Sequence, residues 1–531
     1  MELIAIPDTA RRPAGAPARP AGPEKASSLI SSLLHPADPV IATRPAVVPL
    51  PMGSGSVRTY GDLDADSARV RSWLMAHGVH AGDRVALVAP ASAGWLAAWL
   101  GILRAGAVVV PLDPGLTQEE LATLLRRSGV VAVLLAGSAQ ETARASLGDL
   151  GEDPAVLLVE DIEALPVGDD ADSARAPHDV ALLVWTSGTT GAAKGVCLTY
   201  ANVDYVVSEL VAAQDINADD RWLTVLPLHH MLALCGVLAG LRVGAPLHVV
   251  TSLMPHELVA AVAEHGLTRM MVVPLLLRIL EADLARSPEA AGSLRSLFCG
   301  GAQIRTELLE SYAGLGIEVI QGYGLTEFAP TATMNTPADN RLGSVGRPLP
   351  GTELRLHEGE IWLRGPGMMA GYLQEDGTTT PPTADDGWFH TGDLGRLDDD
   401  GFLYVVGRAK NIIVLESGKK VQPEEIEDVL GQSSLLAEVC VIPIVLPTGR
   451  QAGLEQVCAV VVPSYEARAT YADPDSLVEA MRIEVAALTQ GLSGYKRPTF
   501  VVIRDAELPK TAKRSVRRDA VVRETRERLT G

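Results

Sequence analysis

Thr186-Ser-Gly-Thr-Thr-Gly-Ala-Ala-Lys-Gly195 gathers glycines and hydroxyl side chains ahead of one lysine, which is the composition a backbone cradle for phosphates needs. Gly188, Gly191 and Gly195 let the main chain approach an anion and adopt positive φ, while Ser187, Thr189 and Thr190 add hydroxyl donors and Lys194 a point charge. The apolar run 181–185 before it predicts a buried strand, so the segment leaves a strand end. An ordinary Gly/Thr/Ser turn has the same composition. A P-loop fits poorly, because Lys194 is followed by Gly195 and not by the Ser or Thr that would bind magnesium.

At 531 residues the chain exceeds what one hydrophobic core usually supports, so two or more domains are expected. Its 45 Lys and Arg against 65 Asp and Glu leave a net charge of −20, which argues against a general binder of nucleic acid or anionic membrane. Cys197, Cys235, Cys299, Cys440 and Cys458 are scattered, with no CxxC pair or Cys/His cluster, and read as reduced, mostly buried thiols. The start lacks a basic segment followed by a long apolar core, so no secretory signal is expected and a cytoplasmic location is the default. The longest apolar stretches, 95–112 and 226–250, are broken by Arg104 and by His229, His230, Arg242 and several Gly and Pro residues. They predict core, with no integral membrane segment.

Residues 8–25 are rich in Pro, Ala, Gly and Arg, which predicts a disordered leader, taken here as 1–40. Short β-rich runs at 84–89, 107–111 and 130–135 then alternate with helical patterns, one opened by the capping box Thr117/Glu120. The alternation continues through 221–226, 247–251, 269–273, 294–299 and 318–321. The fold class is α/β: a large layered domain over 41–408, then a small α+β unit over 412–531 of about 120 residues. Helices at 423–430 and 476–488 and strands at 438–444 and 456–462 are expected in the small unit.

Further stretches follow the opening segment in order: Gly300-Gly-Ala302, Gly322-Tyr-Gly-Leu-Thr-Glu327, Gly359-Glu-Ile-Trp-Leu-Arg-Gly365 with Gly371-Tyr372, Trp388-Phe-His-Thr-Gly-Asp393, Gly407-Arg-Ala-Lys-Asn411 and Ser417-Gly-Lys-Lys-Val-Gln-Pro-Glu-Glu-Ile-Glu427. Each alone is weak, whereas the ordered set is specific. From about Tyr60 to Arg518 the chain resembles the adenylate-forming (AMP-binding) superfamily of acyl-CoA synthetases, non-ribosomal adenylation domains and luciferases, and acyl-CoA synthetases most. The resemblance implies a large adenylate-binding domain, a hinge at 409–411 and a small mobile C-terminal domain.

It also implies chemistry in which a carboxylate attacks the α-phosphorus of ATP, which requires shielding of phosphate charge and in-line placement of both reactants. Thr186, Ser187, Gly188, Thr189, Thr190, Gly191 and Lys194 would hold the phosphates. Thr326 and Glu327 would sit by the α-phosphate, with Glu327 as ligand to Mg²⁺, an ion that prefers hard oxygen donors. Tyr323 would stack on adenine beside the main chain of Gly301 and Ala302, and Asp393 and Arg408 would bind the ribose hydroxyls. Outside their motifs, Tyr323 reads as a core aromatic and Asp393 as a turn or N-cap residue. His230, in Leu226-Pro-Leu-His-His230, falls where the family lines its acyl pocket; the competing reading is a histidine satisfying local hydrogen bonds.

In the second half-reaction the small domain rotates about the hinge, where Asn411 stands in place of the usual Asp or Lys. Gly418 would let the chain pass close to the pantetheine thiol, or else sits in a plain β-turn. The family commonly closes with Pro-Lys-Thr, two residues, Gly and a catalytic lysine. Here Pro509-Lys-Thr-Ala-Lys513-Arg514-Ser515 puts Ser515 on the lysine position. Serine supplies no fixed charge, so Lys513, in a shortened Thr-x-Lys arrangement, is the candidate against a solvated basic tail. The implied activity is an acid:CoA ligase taking an apolar carboxylic acid, ATP, Mg²⁺ and CoA, most simply a fatty acid. Two alternatives stand beside it: a ligase that loads a separate acyl carrier protein, and an adenylate-binding protein with weak catalysis.

Overall fold

The structure, a computed structural model, describes residues 29–35, 38–51, 55–148, 154–168, 171–186, 193–250, 254–302, 304–384, 386–415, 419–445, 455–471, 473–510 and 516–530. Two compact units divide it: one comprises 1–354, 363–389 and 397–403, the other 355–362, 390–396 and 404–531.

The first unit carries two large sheets. One runs Thr379–Thr380, Gly371–Leu373, Lys194–Thr199, Val180–Thr186, Val108–Pro111, Arg84–Val88, Val130–Leu135, Ala155–Leu158. The other runs Arg347–Pro348, Thr331–Met334, Glu318–Gly324, Ser296–Cys299, Arg269–Val272, Trp222–Thr224, Leu247–Val250, Pro45–Leu50, Arg58–Thr59. Their inner strands are parallel and apolar on both faces, the pattern of a sheet covered by helices on each side.

Strand alternation assigns each side chain to a layer. Val85, Leu87 and Val109 of the first sheet, and Met271, Phe298 and Ile320 of the second, face one shared core with helices Tyr60–Ala76, Ala93–Arg104, Tyr200–Ala213 and Met231–Arg242. Their neighbours Ala86, Val88 and Val110 pack under helices Gln118–Ser128 and Gln140–Gly148, and Met270, Val272 and Leu297 under Pro255–His265, Pro274–Ala285 and Thr306–Gly314. Five alternating helix and sheet layers result, as the α/β pattern predicts.

The apolar stretches 95–112 and 226–250 each hold a buried helix and strand, and no described helix is long and apolar enough to cross a membrane. All five cysteines are buried and free, and burial pushes the thiols of Cys235, Cys440 and Cys458 up to about 12. The Thr117/Glu120 capping box forms on Gln118–Ser128.

In the second unit, strands Leu436–Val445, Glu455–Pro463 and Phe500–Ile503 form a sheet. Helices Pro423–Leu430 and Pro474–Leu488 cover one face, and Arg518–Thr530 covers the other through Cys440, Ile442, Cys458 and Val521.

The disordered leader expected over 1–40 needs correction at its end, and residues 1–28 lie outside the described residues. Leu29–Leu34 is a helix whose Leu29, Leu33 and Leu34 are at most 2 % exposed, and Pro39–Ala42 is capped by Asp38. Leu-Ile-Ser-Ser-Leu-Leu puts its apolar residues on one face, which the Pro/Ala composition upstream masks. The boundary also differs from 408: residues 355–362, 390–396 and 404–408 go with the second unit, because their strands share one four-stranded sheet.

Candidate active site

Thr186 ends the strand Val180–Thr186 and pairs across an antiparallel hairpin with Lys194, which starts Lys194–Thr199. Thr186 Oγ1 donates to the Lys194 carbonyl at 3.5 Å. Ser187, Gly188, Thr189, Thr190 and Gly191, between them, lie outside the described residues.

The exposed ammonium of Lys194 stands over the ring of Tyr372, 5.0 Å from its centroid. Tyr372 is held in register opposite Val196 by the strand Gly371–Leu373, and its hydroxyl donates to Glu327 Oε1 at 2.8 Å. Burial and the Glu327 charge both raise the phenol above its ordinary pKa, so it remains a donor. Gly371 is required beside it: a Cβ there would come within 2.0 Å of the Thr380 carbonyl oxygen.

Gly301 and Ala302 follow the strand Ser296–Cys299, and Tyr323 ends the adjacent parallel strand Glu318–Gly324, so both motifs emerge at neighbouring strand ends. Tyr323 is 9 % exposed. Thr326 and Glu327 lie in the short turn Thr326–Phe328, closed by Ala329 in the left-handed conformation with φ 58°. The Glu327 carbonyl accepts from Met369 N at 2.9 Å, which ties this turn to the segment leading into Tyr372.

His230 precedes the helix Met231–Arg242, its ring 4.3 Å from that of His229. His229 lies 3.8 Å from Asp113. A small void of about 10 Å³ is lined by Trp222, Val225, Leu226, Ala233 and Met271, and neither histidine lines it. A larger cavity of about 280 Å³, lined by Leu309, Ala313, Glu318 and Asn340, contains none of the expected site residues.

In the second unit, Asp393 is 6 % exposed and pairs with Arg408 Nε at 2.9 Å. Burial, reinforced by Arg408, lowers the pKa of Lys410. Asn411 Nδ2 donates to Glu424 Oε1 at 2.6 Å, and the same oxygen lies 3.3 Å from Arg518 Nη2, which also reaches Glu427 at 2.9 Å. Gly418 and Lys513 lie outside the described residues. Lys510 and Val516 form a β-bridge across 511–515, and Lys510 is itself ion-paired with Glu438 and Glu507.

The structure thus brings Lys194 and Glu327 onto one tyrosine and places Asp393 against Arg408. Tyr372 is the contributor missed by sequence reasoning; its Gly-Tyr motif was visible, but its contacts depend on strand pairing. No described group of three or more His, Cys, Asp or Glu could hold a metal, and one oxygen of Glu327 is engaged by Tyr372.

The family of AMP-binding enzymes matches residues 40–373, and its C-terminal domain matches 410–529. The chain belongs to the AMP-binding enzyme family. It is 34% identical over 475 residues to feruloyl-CoA synthase of Amycolatopsis sp, covering 86% of this chain and 92% of that protein. It is 31% identical over 561 residues to the long-chain-fatty-acid–CoA ligase of Salmonella typhimurium, covering 94% and 95%. ATP-bound MatB from Rhodopseudomonas palustris superposes with a TM-score of 0.83 at 26% identity, covering 95% of this chain and all of that one. This AMP-binding enzyme is accordingly an AMP-forming acid:CoA ligase, with ATP and CoA as co-substrates.

Proposed function

We propose that the enzyme activates an apolar carboxylic acid, a fatty acid first among them, to an acyl-adenylate and passes the acyl group to CoA. The observation that carries the first half-reaction is the arrangement of Lys194 and Glu327 around Tyr372. In this reading Thr186, Ser187, Gly188, Thr189, Thr190, Gly191 and Lys194 hold the phosphates, and Thr326 adds a hydroxyl at the α-phosphate. Tyr323 stacks on adenine beside Gly301 and Ala302. Asp393 accepts from the ribose hydroxyls while Arg408 orients it. Lys513 supplies the fixed charge at the transferring phosphorus, since Lys510 is committed to Glu438 and Glu507.

A carboxylate oxygen of the acid attacks the α-phosphorus, and pyrophosphate leaves with the electron pair of the broken P–O bond. The CoA thiolate, passing by Gly418, then attacks the acyl carbon and AMP departs. Glu327 fits Mg²⁺ as a single hard oxygen donor, which suits an ion that arrives with its nucleotide better than a protein cage does. Such an ion would offset charge on the phosphate oxygens. The absence of charged residues from 226–241, around His230, supports an apolar acid. The reduced, buried thiols support a cytoplasmic location.

Acid-dependent pyrophosphate exchange tests the reading. A panel of fatty and aryl acids should give exchange that is greatest with fatty acids, and no exchange with any of them would overturn it. A carrier protein as acceptor is the second reading, motivated by the same adenylation residues. Faster thioester formation on a phosphopantetheinylated carrier than on CoA would favour it.

A further inference from the structure

Lys194 and Glu327 are opposite charges gathered at one side chain, yet among the described residues no salt bridge joins them. The ammonium contacts the face of the Tyr372 ring and the carboxylate contacts its hydroxyl edge. Lys194 is exposed and Glu327 half-buried, so the two charges attract only modestly, yet they can pair directly if nothing intervenes. A direct pair would cost the enzyme twice: the ammonium donors would be turned from the phosphates, and the carboxylate would be neutralised.

We propose that Tyr372 is a positioning residue of the adenylation half-reaction, a spacer that keeps Lys194 and Glu327 apart and ready for nucleotide and metal. The ring face holds the cation without using its hydrogen-bond donors. The hydroxyl satisfies one carboxylate oxygen and leaves the other open. Three stretches of chain meet for this purpose. Lys194–Thr199 supplies the lysine and pairs with the strand bearing Tyr372, and the Met369 N to Glu327 carbonyl bond anchors the turn bearing the acid. Gly371 lets the Tyr372 strand lie flush against Thr380, which fixes the backbone from which the ring projects. The proposal rests on the reading that Lys194 meets phosphate and Glu327 meets Mg²⁺.

ATP affinity measured by calorimetry without Mg²⁺ gives the test. Tyr372→Ala should let Lys194 pair with Glu327 and weaken Mg²⁺-free ATP binding about tenfold. Adding Glu327→Gln to that variant should restore affinity to within about threefold of the parent. A tyrosine that only packs would give a loss that Glu327→Gln does not rescue, and that result overturns the proposal. Tyr372→Phe keeps the ring and guards against misfolding. It should leave Mg²⁺-free binding within about twofold while lowering the gain in ATP affinity on adding Mg²⁺ about fivefold. An unchanged gain overturns the spacer role of the hydroxyl. If Glu327→Gln alone leaves the Mg²⁺ gain intact, the metal assignment of Glu327 fails, while the Mg²⁺-free rescue still reads the spacer.

Discussion

In the first unit, Lys194 and Glu327 meet a neutral ring and no opposite charge among the described residues. In the second, several cations are ion-paired: Arg408 with Asp393 at 2.9 Å, Arg518 with Glu424 at 3.3 Å and Glu427 at 2.9 Å, and Lys510 with Glu438 and Glu507, while Lys419, like Lys194, stands over a ring, that of Tyr495 at 4.4 Å. The contrast teaches how charge is divided between ligand and scaffold. A cation held over a neutral ring keeps its hydrogen-bond donors uncommitted, as at Lys194. A partly buried ion such as Arg518 is paired, because leaving it alone is costly.

The largest test acts on the paired side. Arg518→Ala strands Glu424 and Glu427, both only about one-fifth exposed, and should lower stability by about 3 kcal/mol in urea unfolding. A loss near zero would mean that the second unit does not rely on matched charge.

Lys513→Ala should slow pyrophosphate exchange by about 10²-fold, the scale of removing one charge-stabilising donor. Thioester formation from supplied acyl-adenylate should hardly change. Lys510→Ala should reverse the pattern, costing stability through Glu438 and sparing the chemistry more.

A buried base in the first unit sharpens the comparison, because His248 is kept neutral instead of being paired. Burial first, then the charge of His265, holds it at about 4 against an ordinary 6.5. The unfolded chain takes up this proton near pH 6.5 and the folded chain only near 4. Stability is therefore untouched above 6.5 and falls by about 3 kcal/mol as pH drops through that window. Unfolding free energies from urea titrations at pH 7.5 and 4.5 should differ by about 2.5 kcal/mol less in His248→Gln than in the parent.

The smallest effect belongs to local structure. Thr117→Ala removes one helix cap and should cost about 1 kcal/mol in thermal unfolding, with both half-reactions unchanged.

Much of the layered fold was legible in periodicity, since strands such as Val130–Leu135 and the Thr117 cap depend on neighbours in sequence. The helix Leu29–Leu34 was not, because its stability comes from burial in the shared core and not from propensity. Tyr372 was visible as part of a motif but not as a junction. Its partners lie 178 and 45 positions away in the sequence and meet it only through strand pairing and the turn at Thr326–Phe328.

By itself the sequence determined the class of fold, the order of its motifs and the family's nucleotide chemistry, because these reside in residue type and spacing along the chain. Tertiary structure alone decided which charges are matched and which are kept apart. Attraction between two ions depends on their separation, their burial and what lies between them, and none of these is a property of the linear order.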